Sequence, residues 1–524
     1  MFEEIFSSGN FTSLDWCIVT VYVGLSIVVG LVANKLIGGL AHYIIAGRSL
    51  GTALSIATMT GTELGLVTVM YSAQKGFTGG FAAFHIAVMA CIVTFFVGLT
   101  GFIVVPLRET GVMTIPEYYE RRFGRRTRIL GGILLAFGGI LNMGLFLKIG
   151  SQFLVGATGI DPSGGFLALV MTVLITLVLI YTILGGMVSV VIMDYIQFVV
   201  ISTGLILLVC LISSKFGWSH MVDVVWQAKG ESGFDPTLKG SGFGPSYIAW
   251  QGVLGLVSCA IWPTAVTRAL AARNTQVVRR QYMFSSLSFL IRFLIPYFLG
   301  IGAFVYVMTS GEMFREAFFP SDGSEGLSNL YAMPLFVSHL LPTGLLGIVT
   351  ASMIAAFMST HDSYLLCWSS VITLDIVAPL RQKRPLTDKT KIVITRVTMV
   401  LIGIYILLWG LWYEGSDDIW EYMGITGAIY STGAISVLAF GLYWKRASST
   451  GAVLALVAGF SAILGLGKVR EALHYEVLEK IIGFELTAPV VGLMALALTL
   501  TVMVVGSLLW PDRSSGKIKV REVK

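Results

Sequence analysis

The chain has 524 residues, 56% of them hydrophobic and only 12% charged. Soluble domains carry about 25% charged residues, so this composition excludes an ordinary water-soluble surface, and a mean hydropathy of +0.84 agrees. The formal net charge of +6 sits in loops between apolar runs, which argues against a nucleic-acid partner. Cys17, Cys91, Cys210, Cys259 and Cys367 all fall in apolar runs and read as small buried hydrophobes, with no disulfide or metal spacing.

Runs of roughly 20 apolar residues recur along the chain and predict membrane-spanning helices. About thirteen spans are expected. A leading helix covers roughly 15–34, after an acidic leader unlike that of a cleaved signal peptide. Ten spans follow at roughly 51–72, 79–105, 128–152, 163–184, 187–213, 246–268, 281–309, 340–373, 391–413 and 418–443. Two more lie at roughly 448–467 and 487–510. The 59 glycines suit close helix packing in lipid. The longer outside segments, 214–245 and 310–339, are candidate lids. Segment 468–486 carries Leu473, Val477, Leu478 and Ile481 at the spacing of a short amphipathic helix.

Loop charge orients the chain. With the N-terminus outside, the inside loops hold 24 Lys and Arg, among them Lys35, Arg108, Arg268, Lys383, Arg384 and Lys445. The outside loops hold 8, among them Lys75 and Lys229. This positive-inside bias predicts a multi-pass protein of the cell membrane, plasma or bacterial inner, with its C-terminus cytoplasmic. A basic tail over 512–524 is expected to touch lipid headgroups.

Two spans look interrupted. The first core span concentrates Thr58, Thr60, Gly61, Thr62, Glu63 and Gly65 at membrane depth, where such polarity is tolerated only against protein or water. The sixth carries Pro263 after Trp262, and proline breaks a helix. Interrupted segments at matching places in two halves point to an inverted-repeat transporter with a midplane site; a pair of kinked structural helices is the plain alternative. The eighth core span places Ala356, Ser359 and Thr360 on one helix face. Two hydroxyls and a carbonyl are neutral hard ligands suited to a monovalent alkali cation, although such hydroxyls also bond to their own backbone.

Three stretches carry a family resemblance. YTILGGMVSVVIMDYIQ (181–197) resembles the signature of the sodium:solute symporter family, AAFMSTHDS (355–363) its eighth core helix, and RALAARNTQVVRR (268–280) the inner loop after its sixth. The resemblance runs over most of the chain and looks closer to the proline, pantothenate and monocarboxylate branches than to the sugar branch. It implies an all-α polytopic membrane protein of the LeuT-like fold, with five-plus-five inverted repeats, one leading helix and two trailing helices. The corresponding segments are 1–50 with the leading helix, 51–213 and 246–443 as the repeats, 214–245 as an outside loop, and 444–511 as the trailing helices. It implies a sodium ion held by the carbonyls of Ala57, Thr60 and Ala356 and the hydroxyls of Ser359 and Thr360. It gives Asp194 a part in sodium exit near the inner mouth, where a solvated structural carboxylate is the other reading. Asp362 stands where relatives often carry a small residue; it could tune coupling, bind a second cation or pair with a neighbour.

Arg292, deep in the seventh core span, is a functional candidate by its position. A fixed guanidinium matches a carboxylate, which favours an amino acid or organic acid as solute; an internal ion pair with Glu63 or Asp362 is the alternative. Glu63, Trp262, Thr264, Arg292 and Tyr430 are the substrate candidates, with Tyr71 as a further aromatic lid and Lys148 as a snorkelling base. The expected activity is sodium-coupled symport of a small solute, with Na⁺, that solute and the bilayer as partners. Neither nucleic acid nor an obligatory protein partner is evident. A sodium/sugar or polyol symporter and a transporter-like sensor are the alternatives. An enzyme is not expected, since no GxSxG elbow, P-loop or metal cluster occurs.

Overall fold

The computed structural model describes residues 5–6, 9–33, 40–160, 165–321, 323–324, 326–381, 385–413 and 418–512. Lys35, Lys383, Arg384 and nearly all of the 512–524 tail lie outside these residues. The described residues are helical, with a single isolated bridge, Leu50 to Ala272, in place of any strand.

The leading helix is α1 (Ser13–Ala33). The first core helix is broken into α2 (Thr52–Glu63) and α3 (Leu66–Gly79), and the second is α4 (Phe84–Thr100). The third divides at Gly144 into α5 (Arg125–Met143) and α6 (Phe146–Thr158). The fourth and fifth run together as α7 (Phe166–Phe216), turning at Gly186. The sixth is α8 (Pro245–Ala260) and α9 (Pro263–Ala271). The seventh to tenth are α10 (Thr275–Thr309), α11 (Leu345–Val371), α12 (Asp388–Trp412) and α13 (Ile419–Tyr443). The trailing pair is α14 (Ser449–Gly459) and α15 (Ala488–Leu509).

Ten helices among the described residues are long and apolar enough to cross a bilayer, and Ser13–Val29 and Ser449–Gly465 are shorter apolar helices. The expected thirteenth span is accounted for by Leu66–Thr100, which combines the second half of the first core helix with all of the second. The first core helix therefore extends further than 51–72, to Gly79, because two half-helices cover more chain than one straight span.

Burial separates centre from periphery. Ile419–Tyr443 buries 83% of its apolar stretch and Leu345–Leu380 72%, against 33% for Asp388–Trp412. Leu25, Ile92, Phe96, Leu169, Ile206, Leu287 and Leu401 are exposed around the outside, an apolar belt that suits lipid rather than water. Cys17 and Cys210 share that outer surface and Cys91 is half-buried, so only Cys259 and Cys367 match the expectation of buried cysteines. The segment after α14 also differs from expectation. It forms two short helices, Gly467–Ala472 and Tyr475–Ile482, because His474 takes a left-handed conformation between them. The candidate lids contain Trp218–Lys229, Glu312–Phe318 and Ala332–Leu340.

The Gly-Gly pair of the 181–197 stretch has a physical reason at its second residue. Gly186 has φ +50°, a region L-residues rarely adopt, and a Cβ there would lie 2.4 Å from the ring of Tyr43. That turn sends the fifth span back across the bundle and delivers Asp194 to its centre.

Candidate functional site

The site begins where the two broken helices meet α11. In the first, the Leu64 N–H donates to the Thr60 carbonyl at 2.9 Å, and Gly65 continues in extended conformation. Gly65 is needed for close approach, since a Cβ there would stand 1.9 Å from Thr360 Oγ1. In the sixth, Ile261 and Trp262 interrupt the helix, and their N–H groups both reach the Val257 carbonyl, at 3.1 and 2.7 Å. Pro263 is the first residue of α9, a position where its missing donor costs nothing.

All five sequence-derived sodium candidates are buried: Ala57, Thr60, Ala356, Ser359 and Thr360. Neither hydroxyl of α11 faces outward. Ser359 Oγ donates to Asp194 Oδ1 at 2.7 Å, and Thr360 Oγ1 donates to the Ala356 carbonyl at 3.2 Å. A hydroxyl whose single hydrogen is committed keeps its lone pairs for a cation. Contact between the first and eighth core helices is direct, with Thr62 Oγ1 and Ser363 Oγ 3.2 Å apart. Neutral oxygens with one carboxylate behind them fit a hard monovalent cation. Such an ion would supply the positive charge that the solute's movement is coupled to.

Asp194 is drawn into the same cluster. It is fully buried at the junction of the first, fifth, sixth and eighth core helices, which sets aside the solvated-carboxylate reading. Its Oδ2 accepts from Thr58 Oγ1 at 2.6 Å and Thr62 Oγ1 at 3.0 Å, and the Arg268 Nη2 lies 3.3 Å away. Asp362 is also fully buried. It accepts from Tyr181 OH at 2.9 Å and from Ser363 Oγ at 3.1 Å.

Arg268, counted above with the inside-loop bases, is buried on α9. Lys75, counted outside, is buried too and pairs with Asp418 at 3.1 Å. Lys148 Nζ donates to the Tyr413 carbonyl at 2.8 Å, tying the third core helix to the end of the ninth.

Beside the sodium candidates, and lined in part by Thr360, lies a cavity of about 110 Å³. Glu63, Arg292 and Trp262 line it, with Tyr71, Asn142, Tyr364 and Trp420 among the other residues of its wall. Arg292 Nη1 donates to Glu63 Oε2 at 2.6 Å, so the guanidinium pairs with Glu63 and not with Asp362. Its Cζ lies over the rings of Phe289 and Phe293, 4.2 and 4.4 Å from their centroids. Thr264 Oγ1 donates to the other Glu63 oxygen at 3.1 Å. Trp262 Nε1 donates to Tyr364 OH at 2.9 Å, and Tyr71 packs on Trp420 with centroids 4.6 Å apart. Tyr430 is placed elsewhere. Its hydroxyl meets that of Tyr119 at 2.9 Å, and it does not line the cavity.

Sequence reasoning missed Thr58, Thr62, Tyr181, Ser363 and Arg268 around the two aspartates, and Asn142, Tyr364 and Trp420 around the cavity. Thr58, Thr62 and Ser363 carried a signal, since hydroxyls crowded the same two stretches. Tyr181 opened the family-like stretch, and a hydroxyl at membrane depth there is unusual enough to have marked it.

The chain and its fold have known counterparts. The chain is 25% identical over 513 residues to sodium/glucose cotransporter 4 of Danio rerio, a match covering 90% of this chain and 74% of that one. It is 26% identical over 488 residues to the sodium/glucose cotransporter of Vibrio parahaemolyticus, covering 86% and 85%. Among solved structures, an outward-open Na⁺-coupled sialic acid symporter superposes with a TM-score of 0.78 at 19% identity, covering 96% of this chain and all of that one. The fold is therefore LeuT-like, as the resemblance implied, and these relatives are transporters rather than enzymes. The model of the sodium:solute symporter family matches residues 43–459, and the chain belongs to that family.

Proposed function

We propose that this chain imports a small, neutral, polyhydroxylated solute, a sugar or cyclitol, together with sodium by alternating access. The observation that carries the reading is the 2.6 Å pair between Arg292 and Glu63 inside the cavity. A carboxylate solute would need an uncompensated guanidinium, and this one is matched by a carboxylate of the protein. Hydroxyl groups suit a matched pair better, donating to Glu63 and accepting from Arg292. The aromatic faces of Tyr71, Trp262, Tyr364 and Trp420 suit the C–H faces of a ring, and Asn142 adds an amide. The names of the glucose and inositol cotransporters among its relatives support the same class.

A carboxylate-bearing solute, an amino acid or organic acid, is the second reading. It has one observation in its favour: Arg292 Nε is buried without an acceptor.

The sodium site of this reading comprises Ala57, Thr60, Ala356, Ser359 and Thr360. The two repeats are taken as 51–213 and 246–443, each opening on a broken helix. The N-terminus lies outside and the C-terminus inside, supported by the 24-to-8 excess of basic residues on one set of loops.

Proteoliposomes holding the purified protein decide between solutes. Radiolabelled sugars, cyclitols, amino acids and organic acids are offered with an inward sodium gradient and with choline in its place. Sodium-dependent accumulation of a sugar or cyclitol is expected. Sodium-dependent accumulation of acids alone would overturn the neutral-solute reading.

A further inference from the structure

The guanidinium of Arg268 lies 3.3 Å from Asp194 and holds both buried aspartates through shorter hydroxyl relays. Its Nη2 has two hydrogens. They go to Thr62 Oγ1 and to Ser363 Oγ, each at 2.6 Å. Each hydroxyl then has one hydrogen of its own to give. Thr62 gives its hydrogen to Asp194 Oδ2 at 3.0 Å, and Ser363 gives its to Asp362 Oδ1 at 3.1 Å. Nη1 closes back on the Thr264 carbonyl at 3.2 Å. One side chain of α9 thereby links the first, fifth and eighth core helices.

The same guanidinium stands between two cavities. Thr62 lines the larger, beside Glu63, Arg292 and Thr360. Arg268 and Ser363 line a second of about 30 Å³, with Pro263, Thr267 and Cys367. The second cavity lies on the inner-half-helix side of the break at Trp262, and the Thr62–Arg268–Ser363 bridge divides it from the first.

We propose that Arg268 is a positioning residue for the sodium site and the plug of its inner exit. It acts through Asp194: held by Thr62 and Arg268 on one oxygen, that carboxylate presents the other to Ser359 and turns the serine lone pairs toward the ion. Sodium moving inward meets the guanidinium, which must leave Thr62 and Ser363 before the two cavities join. The inference rests on the sodium site and orientation proposed above.

The test uses the full chain in proteoliposomes. Arg268→Gln is expected to raise the sodium concentration for half-maximal uptake roughly tenfold or more, the scale of losing hydrogen bonds to charged groups. The solute constant at saturating sodium should move far less, and Arg268→Lys should restore part of the sodium affinity. Peptide-resolved mass spectrometry of maleimide labelling gives the second readout. Cys367 should react roughly tenfold faster in Arg268→Gln, from a wild-type rate kept low by burial. An unchanged sodium constant, or unchanged Cys367 labelling, would overturn the proposal. If Arg268→Gln does not fold, Thr62→Val and Ser363→Ala each remove one relay and should each show part of both effects; wild-type behaviour in both overturns it equally. Wild-type uptake that ignores sodium would instead remove the sodium site itself, a failure separable from that of Arg268.

Discussion

Ser359 gives its only hydroxyl hydrogen to Asp194, 2.7 Å away. The serine is thereby left as an acceptor alone, the condition a cation ligand must meet. Ser359→Ala combined with Thr360→Ala should abolish sodium-dependent uptake while leaving the protein monodisperse and its helical signal intact. The check is uptake over a sodium titration beside size-exclusion elution. Uptake with an unchanged sodium constant in the double variant would remove these hydroxyls from the site.

Arg292 and Glu63 bear on stability as well as binding. Removing one partner of a buried pair costs roughly 3–5 kcal/mol, chiefly by stranding the other charge. Arg292→Gln alone should therefore lower the melting temperature in detergent, and Arg292→Met with Glu63→Gln should recover most of the loss. In uptake, Arg292→Gln should raise the apparent solute constant far more than the sodium constant. Equal shifts in both would make the pair purely structural.

Gly65 tests the close approach of the first and eighth core helices. A methyl group there falls 1.9 Å from Thr360 Oγ1, so Gly65→Ala must push the two apart, at about 1–3 kcal/mol of overpacking. Uptake should fall to background. Gly24→Ala on the leading helix, where a Cβ meets nothing within 4 Å, should transport as wild type. Full activity in Gly65→Ala would mean that this contact is not needed.

Tyr430 offers a contrast. Its hydroxyl is engaged with Tyr119, away from the cavity, so Tyr430→Phe should cost about 0.5–1.5 kcal/mol of stability, the worth of one hydrogen bond. Thermal unfolding measures that, and the solute constant should stay within about twofold of wild type. A large rise in that constant would return Tyr430 to the binding wall.

Hydropathy located the spans because lipid demands apolar length, and Pro263 and Gly65 located the breaks because each has a backbone consequence that no neighbour changes. The hydroxyl face of Ser359 and Thr360 was legible for the same local reason. Arg268 was not. A base a few residues past a proline looks the same to a charge count whether it enters water or turns back into the bundle, and only the packing of α9 against Thr62 and Ser363 decides. That Asp194 is enclosed and not solvated was equally hidden, because Thr58, Ser359 and Arg268, which surround it, come from three distant stretches of chain. Lys75 was misread because Asp418, its partner, lies more than three hundred residues further along the chain.

The guanidinium shared by two carboxylates also has an electrical meaning. At formal charge, Asp194, Asp362 and Arg268 together leave one negative charge buried among the helices, while Glu63 and Arg292 cancel. One bound Na⁺ brings the sum to zero. Voltage, worth about 2.3 kcal/mol per elementary charge across 100 mV, would then drive the reorientation of the sodium-free carrier and leave the loaded one nearly indifferent. Transient currents recorded in solute-free solution should shrink as sodium saturates; currents independent of sodium would contradict this distribution of charge.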